Sequence, residues 1–426
     1  MPAQGNAPIE AQTGDRWTAS LCWTLSFLTL ISMFNFLDRS LLGLVLPLIK
    51  ADLNLSDTAL GLISGLAFAL FNSLLGVPIA SLADRSNRRN IVAIGFAFWS
   101  LMTALTGWVA TGWQLAACRF LMGAGEAAGS APSQAIIAAR FSEEKRPLAV
   151  SIFTSSTAIS SLLFMPIAGW IASTYGWRAA FHVSGAVGIV LAAVFFLTVP
   201  EPARRANGAE SVAAVPIAHA VRTLLAKAAY RWLVVGAASM GGALYAMATW
   251  MTAMLVRVHG LSIVEVASIV TPLGGVAGFI GIIGAGWFAD RLGRRDPRWR
   301  LWVPALVCFI CVPGYFAFLL ADTWLVWTCG LAVVFALQGA YQGPIYAAVL
   351  SLAPEGMRAI SISIPVLCSG LAGQIFGPLA VGMLNDALAG TYGEAAIRYS
   401  LLTAALCTLV GGLCFLAASF SRARAA

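Results

Sequence analysis

The chain has 426 residues, of which 59% are hydrophobic and 10% charged, and its mean hydropathy is +0.84. So few polar side chains cannot cover a water-soluble protein of that length, and the composition places the chain in a bilayer. The net charge of +8 needs no nucleic-acid partner, because basic loops against anionic lipid account for it. All eight cysteines fall in apolar stretches, which argues against an extracellular disulfide framework. Cys308 and Cys311 have CxxC spacing, but no second pair or histidine lies near them, so neither a metal site nor a cofactor is expected. No Ser/His arrangement supports an enzyme.

Spanning the ~30 Å hydrocarbon core takes about 20 apolar residues per helix. The sequence predicts twelve such segments, beginning near Trp17, Thr58, Asn90, Gly112, Ala149, Trp177, Trp232, Val264, Trp302, Thr323, Ile360 and Ile397. Residues 1–16 read as a polar tail with no cleavable signal peptide behind it, 17–200 as a six-helix bundle, 201–231 as a linker, 232–420 as a second six-helix bundle and 421–426 as a tail. With the N-terminus inside, most Lys and Arg fall in cytoplasmic loops, while only Lys50, Arg178, Arg257 and Arg398 fall outside. By the positive-inside rule both termini are cytoplasmic.

Within the first segment FNFLDRSLL sets Asp38 and Arg39 side by side in apolar sequence, with Asn35 beside them. Charges at bilayer depth cost about 2.5 to 3.5 kcal/mol each on insertion scales. The fourth segment adds Arg119 and Glu126, whose spacing puts them within about 20° of one another around the helix and about 10 Å apart along it. Asp38 and Arg39 point about 100° apart, so each must find its partner on another helix.

Between the two sets of six, PIAHAVRTLLAKAAYRW spaces Ile217, Val221, Leu224 and Leu225 on one face and reads as an interfacial helix. The sets are copies. ASLADRSNRR, from Ala80, recurs as GWFADRLGRR, from Gly286, and Pro132, Arg146, Ser151 and Pro166 recur as Pro344, Arg358, Ser363 and Pro378. Two parallel repeats imply a transporter with its site at their interface near the midplane. Glu126 maps onto Gln338, Arg119 onto Leu331, and Asp38 and Arg39 onto Leu244 and Tyr245. All the midplane charge is therefore in one half, which mere assembly of six helices does not require.

The loop G-x-x-x-D-R-x-G-R-R, complete in the second copy, resembles the signature of the major facilitator superfamily. In the first copy Ala80 and Asn87 replace glycines, and Asn87 is expected to keep the turn because Asn tolerates a left-handed conformation. The resemblance implies that Asp84 and Arg88, with their counterparts Asp290 and Arg294, latch the cytoplasmic side of the outward-facing state. A narrower likeness covers 34–202: FNFLDR, LSDTALGLISGLAFALFNSLLGVPIASLADR, RFLMGAGEAAGSAP, GWRAAF and EP. These look like the bacterial branch of the spinster-like transporters, whose animal members move lysophospholipids and sphingosine phosphate. The anion:cation symporters, which carry sugar acids, share the Asp-Arg pair and the Arg and Glu of the fourth span. The resemblance assigns proton coupling and substrate control to Asp38, Arg39 and Glu126.

Burial favours the neutral form of an acid and a nearby guanidinium favours the carboxylate, so a moving arginine can load and empty a proton carrier. Asp38 and Glu126 are the expected carriers, with Arg39 and Arg119 as movable partners and anion ligands. The fifth segment, SSLLFMPIAG, lacks most glycines of the superfamily's antiporters. The seventh offers Tyr245, Met247, Trp250, Met251 and Met254, with few polar groups beyond Gln338, Tyr341 and Gln342 from that half. The expectation is a monomeric, proton-coupled secondary transporter of an amphipathic, lipid-like anion, with protons and membrane lipids as its other partners. The alternative is a symporter of a small organic anion such as a sugar acid.

Overall fold

A computed structural model describes residues 17–201, 216–354 and 356–423. Every regular element among them is a helix. The first, α1 (Ala19–Leu53), is capped by Thr18 and stopped by Asn54 in the left-handed conformation at φ 51°. It is followed by α2 (57–85), α3 (Arg88–Thr106), α4 (112–140), α5 (Arg146–Tyr175) and α6 (Trp177–Thr198). After the short helix Ile217–Ala226 come α7 (Ala228–His259), α8 (Ile263–Gly293), α9 (Trp299–Leu320), α10 (Trp324–Leu352), α11 (Arg358–Tyr392) and α12 (Leu402–Ala423).

Nine stretches among the described residues are long and apolar enough to cross a bilayer, and one of them, Ile360–Ser421, holds both α11 and α12. The remaining two rods, α2 and α4, are interrupted. A π-helical turn occupies Ile63–Ala67 in α2, and residues 127–129 break α4. The second half repeats both features, with a π turn at Val266–Val270 in α8 and a break at 338–341 in α10. The arrangement accords with the twelve helices counted from sequence.

Local sequence explains the ends. Asn87 is not left-handed: at φ −72° and ψ 110° it is the N-cap of α3, accepting from the Asn90 backbone N–H at 2.9 Å. A cap needs only a short polar side chain and extended backbone. Glu201, from the EP pair, accepts from the backbone N–H groups of Arg88 and Arg89 at 2.9 and 2.8 Å and so covers the same helix start. In GWRAAF, Gly176 takes φ +87°, and Trp177 and Arg178 both donate to Asp52 at the end of α1. The linker helix turns Ala220 and Leu224 inward and leaves Leu225 exposed, so its buried face is rotated from the one expected. The helix after it starts at Ala228 rather than Trp232.

The halves meet most closely at the end of the bundle bearing Asn54, His259 and Gly393. There Gly43 of α1 lies on the α7 backbone at Ala248, Gly61 and Gly65 of α2 lie on α11 at Pro378 and Gln374, and Gly169 of α5 faces Ala267 of α8. Only glycine permits such approach. A Cβ on Gly65 would stand 2.1 Å from the Gln374 carbonyl oxygen. Gly65→Ala is therefore expected to wedge α2 off α11, at a cost of about 1–3 kcal/mol in this conformation. Gly370→Ala, with nothing within 4 Å of its Cβ, should be neutral. Thermal unfolding of the two purified variants checks the pair.

Candidate functional site

Between the halves lies a cavity of about 260 Å³, lined from the first half by Phe36, Arg39, Ser40, Leu42, Gly43, Ser64, Phe68 and Arg119, and from the second by Leu244, Tyr245, Ala248, Thr249 and Gln374. It sits directly beneath the glycine contacts that bring the halves together, since Gly43 and Gln374 belong to both. Two of the four midplane charges line it. Arg39 and Arg119 carry their guanidinium groups 4.9 and 5.6 Å from the ring centre of Phe68, so one aromatic ring serves two like charges.

The acids stand behind this wall. Arg39 Nε donates to Glu126 Oε2 at 2.6 Å and Asn35 Nδ2 donates to the same oxygen at 2.9 Å, while Glu126 Oε1 has no partner among the described residues. Glu126 is 2% exposed, at the last residue of α4 before its break. The expected neighbour on the same face, Arg119, reaches elsewhere: its Nη1 donates to the main-chain carbonyl of Asp38 at 3.2 Å, and its Nε has no partner among the described residues. The Asp38 carboxylate points into the first half beside Trp99 and Thr103 of α3, and its Oδ1 is unpartnered among the described residues. Asp38 and Arg119 thus do not form an ion pair. Among the described residues one charge pair, half-buried Arg39 with buried Glu126, spans α1 and α4.

The second half departs further from expectation. Trp250 is fully buried and donates from Nε1 to the Pro378 carbonyl at 3.0 Å, and Met247 and Met254 are buried with it. That face of α7 packs on α11, where Gly373 and Gly377 admit the backbone at Gly241 and Gly242, so it does not reach the cavity. Tyr341 stacks on Phe415, and Gln338, 7% exposed, is also outside the lining. Tyr245 does line the cavity and accepts a 2.9 Å hydrogen bond from Gln374 Nε2. The sequence reading missed Ser64, Phe68, Thr249 and Gln374. Their signal is weak, because single uncharged hydroxyls, amides and phenyl rings are common in apolar helices and do not stand out as charges do.

A second charge cluster, also missed, joins the halves at the closed end. Asp57, at the start of α2, accepts both Arg257 Nη groups of α7 at 2.7 and 3.0 Å and Lys50 Nζ at 2.8 Å. Asp386 of α11 accepts from the backbone N–H groups of Asp57 and Thr58 at 3.0 and 2.8 Å. Asp57 is 3% exposed. At the opposite end Asp290 and Arg294 are exposed, and the side chain of Asp84 lies outside the described residues.

The comparisons accord with this geometry. The chain is 33% identical over 416 residues to an MFS-type efflux pump of Mycolicibacterium smegmatis, covering 97% of this chain and 96% of that one. It is 27% identical over 321 residues to a probable galactarate/D-glucarate transporter of Escherichia coli, covering 69% and 70%. Its fold matches a bacterial homologue of the human lysosomal transporter spinster, solved in an inward-facing and unoccupied conformation, with a TM-score of 0.84 at 24% identity over 96% of this chain and 99% of that one. The Major Facilitator Superfamily profile matches residues 28–378, and the chain belongs to that superfamily of transporters, in which it resembles the spinster-like group.

Proposed function

We propose that the protein is a proton-coupled secondary transporter of an amphipathic organic anion of lysophospholipid or sphingoid-phosphate type. The observation that carries this reading is Arg39 on the cavity wall, held from behind by Glu126 at 2.6 Å. A substrate anion and the Glu126 carboxylate compete for one guanidinium. A proton on Glu126 removes the competitor and frees Arg39, so proton and anion favour each other's binding, which is the coupling that transport requires. Arg119, with its free Nε, supplies the second donor for a bidentate acid group. Asn35 orients Glu126, and Asp38 is a second proton site behind Arg119. The anion's apolar part lies on Phe36, Leu42, Phe68 and Leu244, not on Trp250 as the sequence suggested.

With the basic loops inside a bacterial inner membrane, the closed end is the outer one and the conformation faces inward. Rocking of the halves then exchanges the Asp57 cluster for the latch of Asp84, Arg88, Asp290 and Arg294 on the inner side. Glycerol- or sphingoid-based phosphates should bind with affinity rising up to about fourfold per methylene, from ~0.8 kcal/mol each, until the cavity is filled. Microscale binding measurements on the purified protein across a chain-length series check this. The sugar-acid reading is favoured by Ser40, Ser64, Tyr245, Thr249 and Gln374, which give the cavity polar groups from both halves. Chain-length-independent binding together with tight binding of glucarate selects it instead.

A further inference from the structure

The cavity that holds the two arginines also carries hydrogen-bonding capacity that the protein itself does not use. Gln374 is 8% exposed and lines the cavity, yet its Oε1 has no partner among the described residues. Its Nε2 donates to the Tyr245 hydroxyl oxygen at 2.9 Å, which leaves the Tyr245 hydrogen free to donate. Ser64 Oγ, on the π turn of α2, lines the same cavity and is likewise buried without a partner among the described residues. Acceptors and donors left unmade in an apolar setting are costly, and a cavity that holds several of them suits a ligand able to satisfy them.

We infer that Ser64, Tyr245 and Gln374 form a hydroxyl-recognising subsite, so that the transported anion must carry hydroxyl groups on the carbons next to its acid group. The inference rests on the anion reading above and sharpens it: an acid head at Arg39 and Arg119, and a hydroxylated segment reaching across to α7 and α11. A simple fatty acid or alkyl phosphate satisfies the first wall only. Glycerol phosphates and sugar acids satisfy both, and the shared chemistry is a polyol acid. Gln374 also touches Gly65 through its main chain at the contact that closes the bundle, so the side chain that reads the hydroxyl stands on the helix that moves.

The test uses matched pairs on the full-length purified protein. One pair is 1-oleoyl glycerol phosphate against its 2-deoxy analogue; the other is glucarate against adipate, the same six-carbon diacid without hydroxyls. At least one hydroxylated member should bind about tenfold or more tighter than its partner, the worth of a well-made hydrogen bond or two. Which pair shows the gap identifies the source as lipid or sugar acid. Gln374→Met and Tyr245→Phe should bring the hydroxylated member down to the level of its deoxy partner; Tyr245→Phe removes one oxygen and spares the helix contact at Gln374. Equal affinities within both pairs, or variants that weaken both members alike, overturn the subsite while leaving the anion reading standing. Binding of none of the four compounds overturns both.

Discussion

Glu126→Gln is expected to bind the anion as well as the wild type or better, at every pH, and to lose transport driven by a pH gradient by a factor of about a hundred or more. Gln keeps the size of Glu126 and can still accept from Asn35 and Arg39, but it neither carries a charge nor gains a proton. Arg39 keeps its charge, so its bond to the amide remains charge-assisted, but the attraction between two full charges is lost. The variant therefore loosens the hold on Arg39 that now stands at 2.6 Å. In the wild type, anion affinity should rise as the pH falls, because protons remove the competitor; in the variant that slope should vanish. The second half already has the amide at Gln338, where it sits buried without a charge partner, so the substitution is one that the fold accommodates at the equivalent position. Binding titrations at several pH values, with proteoliposome uptake under an imposed gradient, decide the matter. Normal gradient-driven uptake by the variant refutes the coupling role.

What the sequence reveals and what it hides follow from the cost of each residue in lipid. Asp38, Arg39, Arg119 and Glu126 are conspicuous because each charge is expensive at that depth, and no hydrophobic pattern tolerates it without cause. Their pairing is not legible. Which arginine meets which acid depends on the rotation of α1 against α4, and the helix spacing that puts Arg119 and Glu126 on one face does not say that Arg39 will reach Glu126 first. On α7 the misreading had a different origin. In GGALYAMATWMTAM, Tyr245, Thr249 and Thr252 share one face at i, i+4 and i+7, and Tyr245 and Thr249 line the cavity; uncharged hydroxyls mark that side only weakly, and the largest ring, Trp250, packs in the close contact with α11. Gln374 lay hidden because one amide in a long apolar helix carries little signal. The repeat is legible in the sequence, and the structure carries it further than the sequence does: π turns at Ile63–Ala67 and Val266–Val270 interrupt the corresponding helices of the two halves. Such turns concentrate at functional sites.

Loss of Arg257 should open the end of the bundle that this conformation closes. Its guanidinium, with a side chain only 11% exposed, grips both oxygens of a buried Asp57 across the boundary between the halves. Lys50, the other cation on Asp57, comes from the first half and stays with it in either conformation. Removing one partner of a buried pair costs about 3–5 kcal/mol when the survivor is left without a counterion; because Lys50 stays on Asp57, the low end, about 3 kcal/mol, applies here. That penalty applies to the closed end alone. Once the halves part, water solvates Asp57, and the open state loses little. A differential cost of about 3 kcal/mol moves the equilibrium by roughly two powers of ten. Arg257→Gln is therefore expected to convert a mainly closed outer end into a mainly open one, and Asp57→Asn to do the same, with the further loss of its hold on Lys50. The Asp386 bonds to the Asp57 and Thr58 backbone remain in both variants, so a complete opening also tests how much of the closure those two bonds sustain. Thiol labelling of single cysteines introduced beside Gly61 and near the inner end of α8, compared in wild type and variant, reads the two faces separately. Labelling should rise at the first position and fall at the second; unchanged labelling at both means that the glycine contacts alone keep this end shut.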